Sequence, residues 1–183
     1  MRTLLLFSLL FLNTLTFAQT NLVKNGGFER NIVHWLGDAA TLSPSDKKSG
    51  KYGALINQYV ETESKGIDQT ILVPRNTYAI EFSSWIKTES IKGGKEPNNA
   101  GIMIVEFIND AEKQISLETI AQVKGTTDWN SYKKVLKIPA DAQKIKITLA
   151  LSQTSGSVYF DDVKAVPLSE GQYLNLKESN PEK

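Results

Sequence analysis

The sequence predicts an all-β protein, folded as a two-sheet antiparallel jelly-roll β-sandwich. Short runs rich in Val, Ile, Tyr, Phe and Thr recur along the chain, and Gly, Pro, Asn and Asp separate them. No segment keeps a helical period, although 116–123 is ambiguous. About nine strands at this spacing favour two packed sheets. The predicted strands are Asn21–Val23, Tyr52–Gln58, Gly66–Leu72, Thr77–Lys87, Ile102–Asn109, Gln114–Val123, Trp129–Ile138, Lys144–Leu151 and Ser157–Val166.

The N-terminal segment has the layout of a secretory signal peptide. Arg2 precedes an apolar run over 4–12, and the small residues Thr16 and Ala18 indicate cleavage after Ala18. The run is too short to span a bilayer, which takes about 20 apolar residues. We therefore predict a signal peptide at 1–18, no membrane span, and a secreted or periplasmic protein.

The composition after the leader limits the class of protein. The chain suits one domain, at 19–166, followed by a polar C-terminal tail at 167–183 that we expect to be disordered. It has no cysteine, so stability must come from packing, alone or together with a bound metal. The 21 basic and 20 acidic residues form no long block of one sign, which disfavours a nucleic-acid partner and favours a neutral polymer. We expect a monomer.

Alternation along Thr77–Lys87 gives the first functional signal. Its apolar side chains share one face, because successive residues of a strand point to opposite faces. The other face is polar apart from one large ring, that of Trp85, between Glu81 and Lys87. Such a ring is either a platform for a sugar or a side chain covered by a loop or by the end of the sheet.

A second signal is the carboxylate of Glu106, which interrupts the apolar run at 102–108. A charge in such a strand is costly unless it is paired or exposed. Glu106 therefore either shares an open face with Trp85 and Glu81 or forms a salt bridge to a neighbouring lysine.

Six short motifs follow one another along the chain. They are Asn21–Glu29, Trp35, Ser49–Leu55, Tyr78–Lys87, Thr127–Tyr132 with Pro139 beyond it, and Val158–Val163. In order and spacing they resemble the carbohydrate-binding modules of families 4, 9 and 22, which occur beside xylanase and glucanase catalytic domains. The resemblance covers Asn21 to about Val166, and it is specific for a fold rather than for a ligand.

The resemblance implies a galactose-binding-like jelly roll with one structural calcium ion. The family's ligands fall here on the backbone carbonyls of Gly27 and Lys51 and on the side chains of Glu29 and Asp161. Calcium takes roughly six to eight oxygen ligands from carboxylates and carbonyls, so these groups suit it. The alternative is that Glu29 and Asp161 are ordinary carboxylates at strand edges.

The resemblance also implies a sugar site on the concave face of one sheet, with a polysaccharide or oligosaccharide as the ligand. Trp85 falls where a stacking tryptophan of the family can sit. An aromatic ring lies against the C–H face of a pyranose, and polar groups beside it take the hydroxyls. The candidate hydroxyl contacts are Glu81, Lys87 and Glu106. Of the other aromatic residues, the core or a loop edge is expected for Trp35 and Trp129, and an exposed position for Tyr159.

Three functions are compatible with this pattern. The leading prediction is a non-catalytic secreted module that binds carbohydrate. The second is a jelly-roll polysaccharide lyase or glycoside hydrolase that uses Glu81 and Glu106, since glycosidases need two facing carboxylates. The third is an adhesion or protein-interaction module on the same scaffold. Catalysis is disfavoured because the only histidine, His34, stands beside a tryptophan that suits a structural role.

Overall fold

The computed structural model describes residues 20–179, so the predicted signal peptide at 1–18 lies outside them. This part of the chain forms ten strands and one helix. They are β1 (Glu29–Ile32), β2 (Ala40–Ser43), β3 (Gly53–Gln58), β4 (Lys65–Leu72), β5 (Ala79–Ile91), β6 (Ala100–Ile108), β7 (Gln114–Val123), β8 (Gly125–Lys137), β9 (Lys144–Ser152), β10 (Gly156–Leu168) and α1 (Glu170–Ser179). The helix is not long and apolar enough to cross a membrane.

Nine of the strands form two antiparallel sheets, which confirms the predicted sandwich. One sheet has five strands in the order β2-β3-β10-β5-β8, and the other has four in the order β4-β9-β6-β7. Neighbours such as β3 and β10 are far apart in the chain, so the sheets interleave as a jelly roll requires. The long strands β5 and β10 run side by side at the centre of the five-stranded sheet.

The core fills the space between the sheets. Alternate side chains of β5 and β9 point into it, including Phe82 and Ile147, both fully buried. Phe82 meets Phe107 from the opposite sheet edge-to-face, with ring centroids 6.4 Å apart. Trp35 also lies in this core, which was one of the two positions predicted for it. Its Nε1–H donates to the Asn25 carbonyl.

Prediction and structure differ most in the short elements. β7 has the predicted bounds, and most other predicted strands shift by one to four residues at their ends. The segment Asn21–Val23 is not a strand, although Asn21 still ties it to β10 by hydrogen bonds with Val163 and Ala165. The four-residue strands β1 and β2 were not predicted, since they are too short for alternation to show.

The segment predicted as a disordered tail at 167–183 is ordered over its described part. Pro167 and Leu168 complete β10, and α1 follows. Ser169 begins the helix with a capping box: the Gln172 backbone N–H donates to the Ser169 hydroxyl, and the Ser169 N–H donates to the Gln172 side-chain carbonyl. The polar composition of this segment therefore reflects a surface helix.

Candidate carbohydrate-binding face

The two sheets present two different surfaces to solvent. The outer surface of the five-stranded sheet is called here the aromatic face; it carries Trp85 and Lys87 from β5, Tyr159 from β10 and Trp129 from β8. The outer surface of the four-stranded sheet is called the aliphatic face; it carries Ile102, Ile104 and Glu106 from β6, Ala150 from β9 and Leu117 from β7.

Lys87 lies at the centre of the aromatic face between two carboxylates. Its ammonium is 2.6 Å from Asp46 Oδ1 and 3.0 Å from Glu89 Oε1. The hydrogen bond to Asp46, and then that to Glu89, raise the pKa of Lys87, while the same bond holds the pKa of Asp46 below its usual value. Asp46 reaches the sheet from the loop that follows β2, so a fixed charge cluster forms on this face.

Two aromatic rings flank the charge cluster. Tyr159 packs beneath the Lys87 ammonium, which lies 5.2 Å from the ring centroid, and its hydroxyl donates to Glu89 at 3.0 Å. Trp129 meets Tyr159 in a T-shaped contact at 6.5 Å and remains partly exposed on the edge strand. Burial, and then the bond to Glu89, raise the pKa of Tyr159 to about 12, so this hydroxyl stays a donor.

Trp85 points to the aromatic face as predicted, but its ring is less open than the stacking hypothesis requires. The ring is only partly exposed, and the Lys48 ammonium lies 3.9 Å from its centroid. The same loop that brings Asp46 to Lys87 therefore brings a cation over the indole. Lys48 is itself exposed, so the cover over this ring is a surface side chain.

The four predicted sugar contacts do not share one surface. Lys87 and Glu81 lie with Trp85 on the aromatic face, where Glu81 is 3.9 Å from the Lys133 ammonium. Glu106 lies on the aliphatic face and is paired with Lys146 at 2.9 Å, which is the salt bridge left open by the sequence. The prediction that it shares a face with Trp85 is wrong, because β5 and β6 belong to different sheets.

The hydrolase or lyase hypothesis based on Glu81 and Glu106 fails for the same reason. Two catalytic carboxylates must face each other across one scissile bond, at a separation below about 10 Å. These two side chains point away from each other, on opposite outer faces of the sandwich.

Several residues of the face escaped sequence reasoning. Trp129 was assigned to the core or a loop edge, and Tyr159, expected to be exposed, is nearly covered by Trp129 and Lys87. Alternation correctly predicted that Tyr159 points away from Val158 and Phe160, which are both fully buried, but not that neighbouring side chains cover it. Asp46 had no such signal, because its partner Lys87 is 41 positions away.

The four residues predicted to supply calcium ligands lie around the turn at 48–52. The Glu29 carboxylate accepts the N–H of Lys51 at 2.7 Å, and the buried Asp161 carboxylate accepts the N–H groups of Lys48 and Ser49. Gly27 lies beside Asp161, since a Cβ added to Gly27 would be 3.8 Å from Asp161 Oδ1. Within residues 20–179 no three His, Cys, Asp or Glu side chains gather, so these ligands would be two carboxylates supplemented by carbonyls.

Local geometry is compatible with an oxygen-binding cation beside this turn. A Cβ at position 50 would overlap the Glu29 carboxylate. Glycine at this position therefore leaves the space that the carboxylate occupies. Burial raises the pKa of Asp161, although three backbone N–H groups oppose the shift. An anion held dry in this way is stabilised by a nearby cation, and an all-oxygen donor set suits calcium.

Similarities to known proteins agree with this fold. The family model for carbohydrate binding domains of the 4/9 type matches residues 20–156, and the chain therefore belongs to this family of carbohydrate-binding modules. No curated protein matches the chain significantly.

Solved structures share the fold at low sequence identity. The xylan-binding CBM22-1 domain of Paenibacillus barcinonensis Xyn10C is 12% identical (TM-score 0.59; 83% of this chain and 97% of that one). A family 61 module in complex with β-1,4-galactotriose is 20% identical (TM-score 0.53; 81% and 99%). The enzymatically active domain of bacteriophage CBA120 tailspike protein 4 is 16% identical (TM-score 0.65; 81% and 21%), so this chain spans about a fifth of its length.

Proposed function

We propose that this protein is a non-catalytic, secreted module that binds a polysaccharide or oligosaccharide on its aromatic face. The observation that carries the proposal is the combination of two partly exposed rings, Trp85 and Trp129, with a fixed charge cluster around Lys87. Aromatic rings provide apolar contact for a pyranose, and charged groups held in place provide directed hydrogen bonds to hydroxyls. Secretion is supported by the signal-peptide pattern ending at Ala18.

The choice of ligands to test follows from the related structures. One is named as xylan-binding and another holds β-1,4-galactotriose, so β-1,4-linked xylan and galactan are the first probes. Both are largely neutral polymers, and the protein has a formal net charge of only +1.

The test is affinity electrophoresis on a panel of soluble polysaccharides that includes both probes. The wild-type protein should be retarded on at least one, and the double variant Trp85→Ala/Trp129→Ala should migrate as in the gel without sugar. The matched control is Leu117→Ala, which removes an exposed side chain from the aliphatic face. If the double variant stays folded by circular dichroism and is still retarded, the aromatic face is not the binding site.

A structural calcium ion is part of the same proposal. Gly27 and Lys51 would contribute carbonyl oxygens, and Glu29 and Asp161 would contribute carboxylates. Such an ion would link the segment before β1, the turn before β3 and the central strand β10. Because Asp161 accepts the N–H groups of Lys48 and Ser49, the ion would also hold the loop that covers Trp85.

A further inference from the structure

Helix α1 covers one end of the aromatic face. Ala79 and Leu168 are paired across β5 and β10, and both lie outside the core cluster between the sheets, yet they are 0% and 4% exposed. Tyr173 of the helix contacts Tyr78 edge-to-face at 5.3 Å, and the Lys137 ammonium lies 5.1 and 5.2 Å from the two ring centroids. The helix is thus fastened to the end of the sheet where β5 begins.

The position of α1 above Glu81 follows from the grooves beside it. One groove of about 350 Å³ is lined by Glu81, Val166 and Leu176, and a second of about 320 Å³ is lined by Glu81, Val135 and Leu176. Since Glu81 and Leu176 border both, the helix crosses the sheet over Glu81. The side chains that face the sheet are Tyr173 and Leu176, one turn apart, whereas Leu174 is 49% exposed.

The opposite end of the aromatic face is open. Tyr59, which follows β3, is 82% exposed and borders a groove of about 440 Å³ together with Asn57, Glu89 and Ser157. Glu89 and Glu81 are eight residues apart on β5, on the order of 26 Å at the rise of a strand. The charge cluster and the aromatic rings lie between the open end and the helix.

We propose that a glycan chain lies along β5 on the aromatic face and that α1 is its end stop, so that the module binds the terminus of a glycan chain rather than its interior. This inference rests on the proposed function of the aromatic face. A chain that enters past Tyr59 can cross Lys87 and Trp129, but it meets the helix at Glu81 and cannot continue along the strand. An internal stretch of polymer lying along β5 would need both ends of the face to be open.

The experiment measures how many protein molecules bind per glycan chain as the chain is lengthened. The probes are size-fractionated β-1,4-xylan and β-1,4-galactan, and binding is followed by isothermal titration calorimetry. For an end-binding module the number bound per chain stays at one, so capacity per gram of polymer falls as chains lengthen. The double variant Tyr173→Ser/Leu176→Asp removes the contacts of α1 with the sheet and is called the undocked variant. For this variant the number of protein molecules bound per glycan chain should rise with chain length.

The matched control is Leu174→Asp, which places the same charge on the exposed side of the helix and should behave as the wild type. A chain ending at Leu168 is the second undocked variant, in case the double substitution disturbs folding. The end stop is overturned if the wild-type protein binds in proportion to chain length, or if both undocked variants still bind one per chain. Failure of the proposed function gives a different result: no probe binds, or Trp85→Ala/Trp129→Ala binds as well as the wild type.

Discussion

The two outer faces of the sandwich are built by the same alternation and carry different chemistry. On the aromatic face, outward positions hold Trp129, Tyr159 and Lys87, and a loop adds a second carboxylate to the charge cluster. On the aliphatic face, outward positions hold isoleucine and alanine side chains, and the Glu106–Lys146 ion pair lies among them. Only the first combines rings with fixed hydrogen-bonding charges, as a sugar site requires.

The difference teaches what alternation can and cannot determine. A period of two separates inward from outward residues within a strand, and it did so correctly for Glu81, Trp85 and Lys87. It does not determine which of two sheets the strand joins. Glu106 was outward as expected, but β6 pairs with β9 and β7, which places it on the other side of the molecule.

Calcium removal is expected to have the largest effect, and it concerns only the aromatic side of the sandwich. An ion present at about 100 times its dissociation constant stabilises the native state by about 2.7 kcal/mol, equivalent to roughly 5–10 °C in Tm for a chain of this size. Chelation should therefore lower Tm by about that amount in differential scanning calorimetry. Asp161→Asn should abolish the response and Glu106→Gln should keep it. An unchanged Tm after exhaustive chelation would retire the calcium hypothesis.

Trp129→Ala should weaken glycan binding more than Trp85→Ala does. Trp129 presents a ring at the open edge of the sheet, and loss of such an anchor costs about 2 kcal/mol, roughly a 30-fold loss of affinity. The Lys48 ammonium already lies against the Trp85 ring, so removal of that ring should reduce glycan affinity less. Titration calorimetry on the glycan that retards the protein measures both. If Trp85→Ala is the more damaging change, Lys48 is displaced by the ligand, and Lys48→Ala should then increase affinity.

The sequence predicted long elements and outward positions well, and failed where structure depends on distant partners. β7 has its predicted bounds because ten residues of strand pattern lie between turn signals. Trp129 was misassigned because its role depends on the pairing of β8 with β5, and nothing local in the sequence specifies that pairing. The helix α1 had a local signal, since Ser169 and Gln172 form a capping box, but polar composition obscured it.

Lys87→Met should destabilise the protein moderately and in a pH-dependent way. It leaves Asp46 and Glu89 without their partner at a partly buried position, at a cost of about 1–2 kcal/mol after allowance for solvent. Since Lys87 lowers the pKa of Asp46, the stability from that pair is present above the usual carboxyl pKa and is lost as pH falls through the lowered value.

The measurement for Lys87→Met is Tm of wild type and variant from neutral pH to pH 2.5. The gap should be widest near neutrality and should close at the acid end, where Asp46 becomes protonated in both proteins. Lys146→Met, which breaks the ion pair on the aliphatic face, is the matched control and should leave glycan affinity unchanged. A gap that does not vary with pH would mean that Lys87 stabilises the face by packing on Tyr159 and not through Asp46.

Glu106→Gln is expected to have the smallest effect, and it tests the comparison of the two faces most directly. The Glu106–Lys146 pair is partly exposed, and such pairs contribute about 0–1 kcal/mol, so Tm should change by no more than about 3 °C. Glycan affinity and any response to calcium should stay at wild-type values, because Glu106 lies on the side of the sandwich away from both sites. A loss of glycan affinity in this variant would show that the aliphatic face also contacts sugar, and the functional distinction between the two faces would then fail.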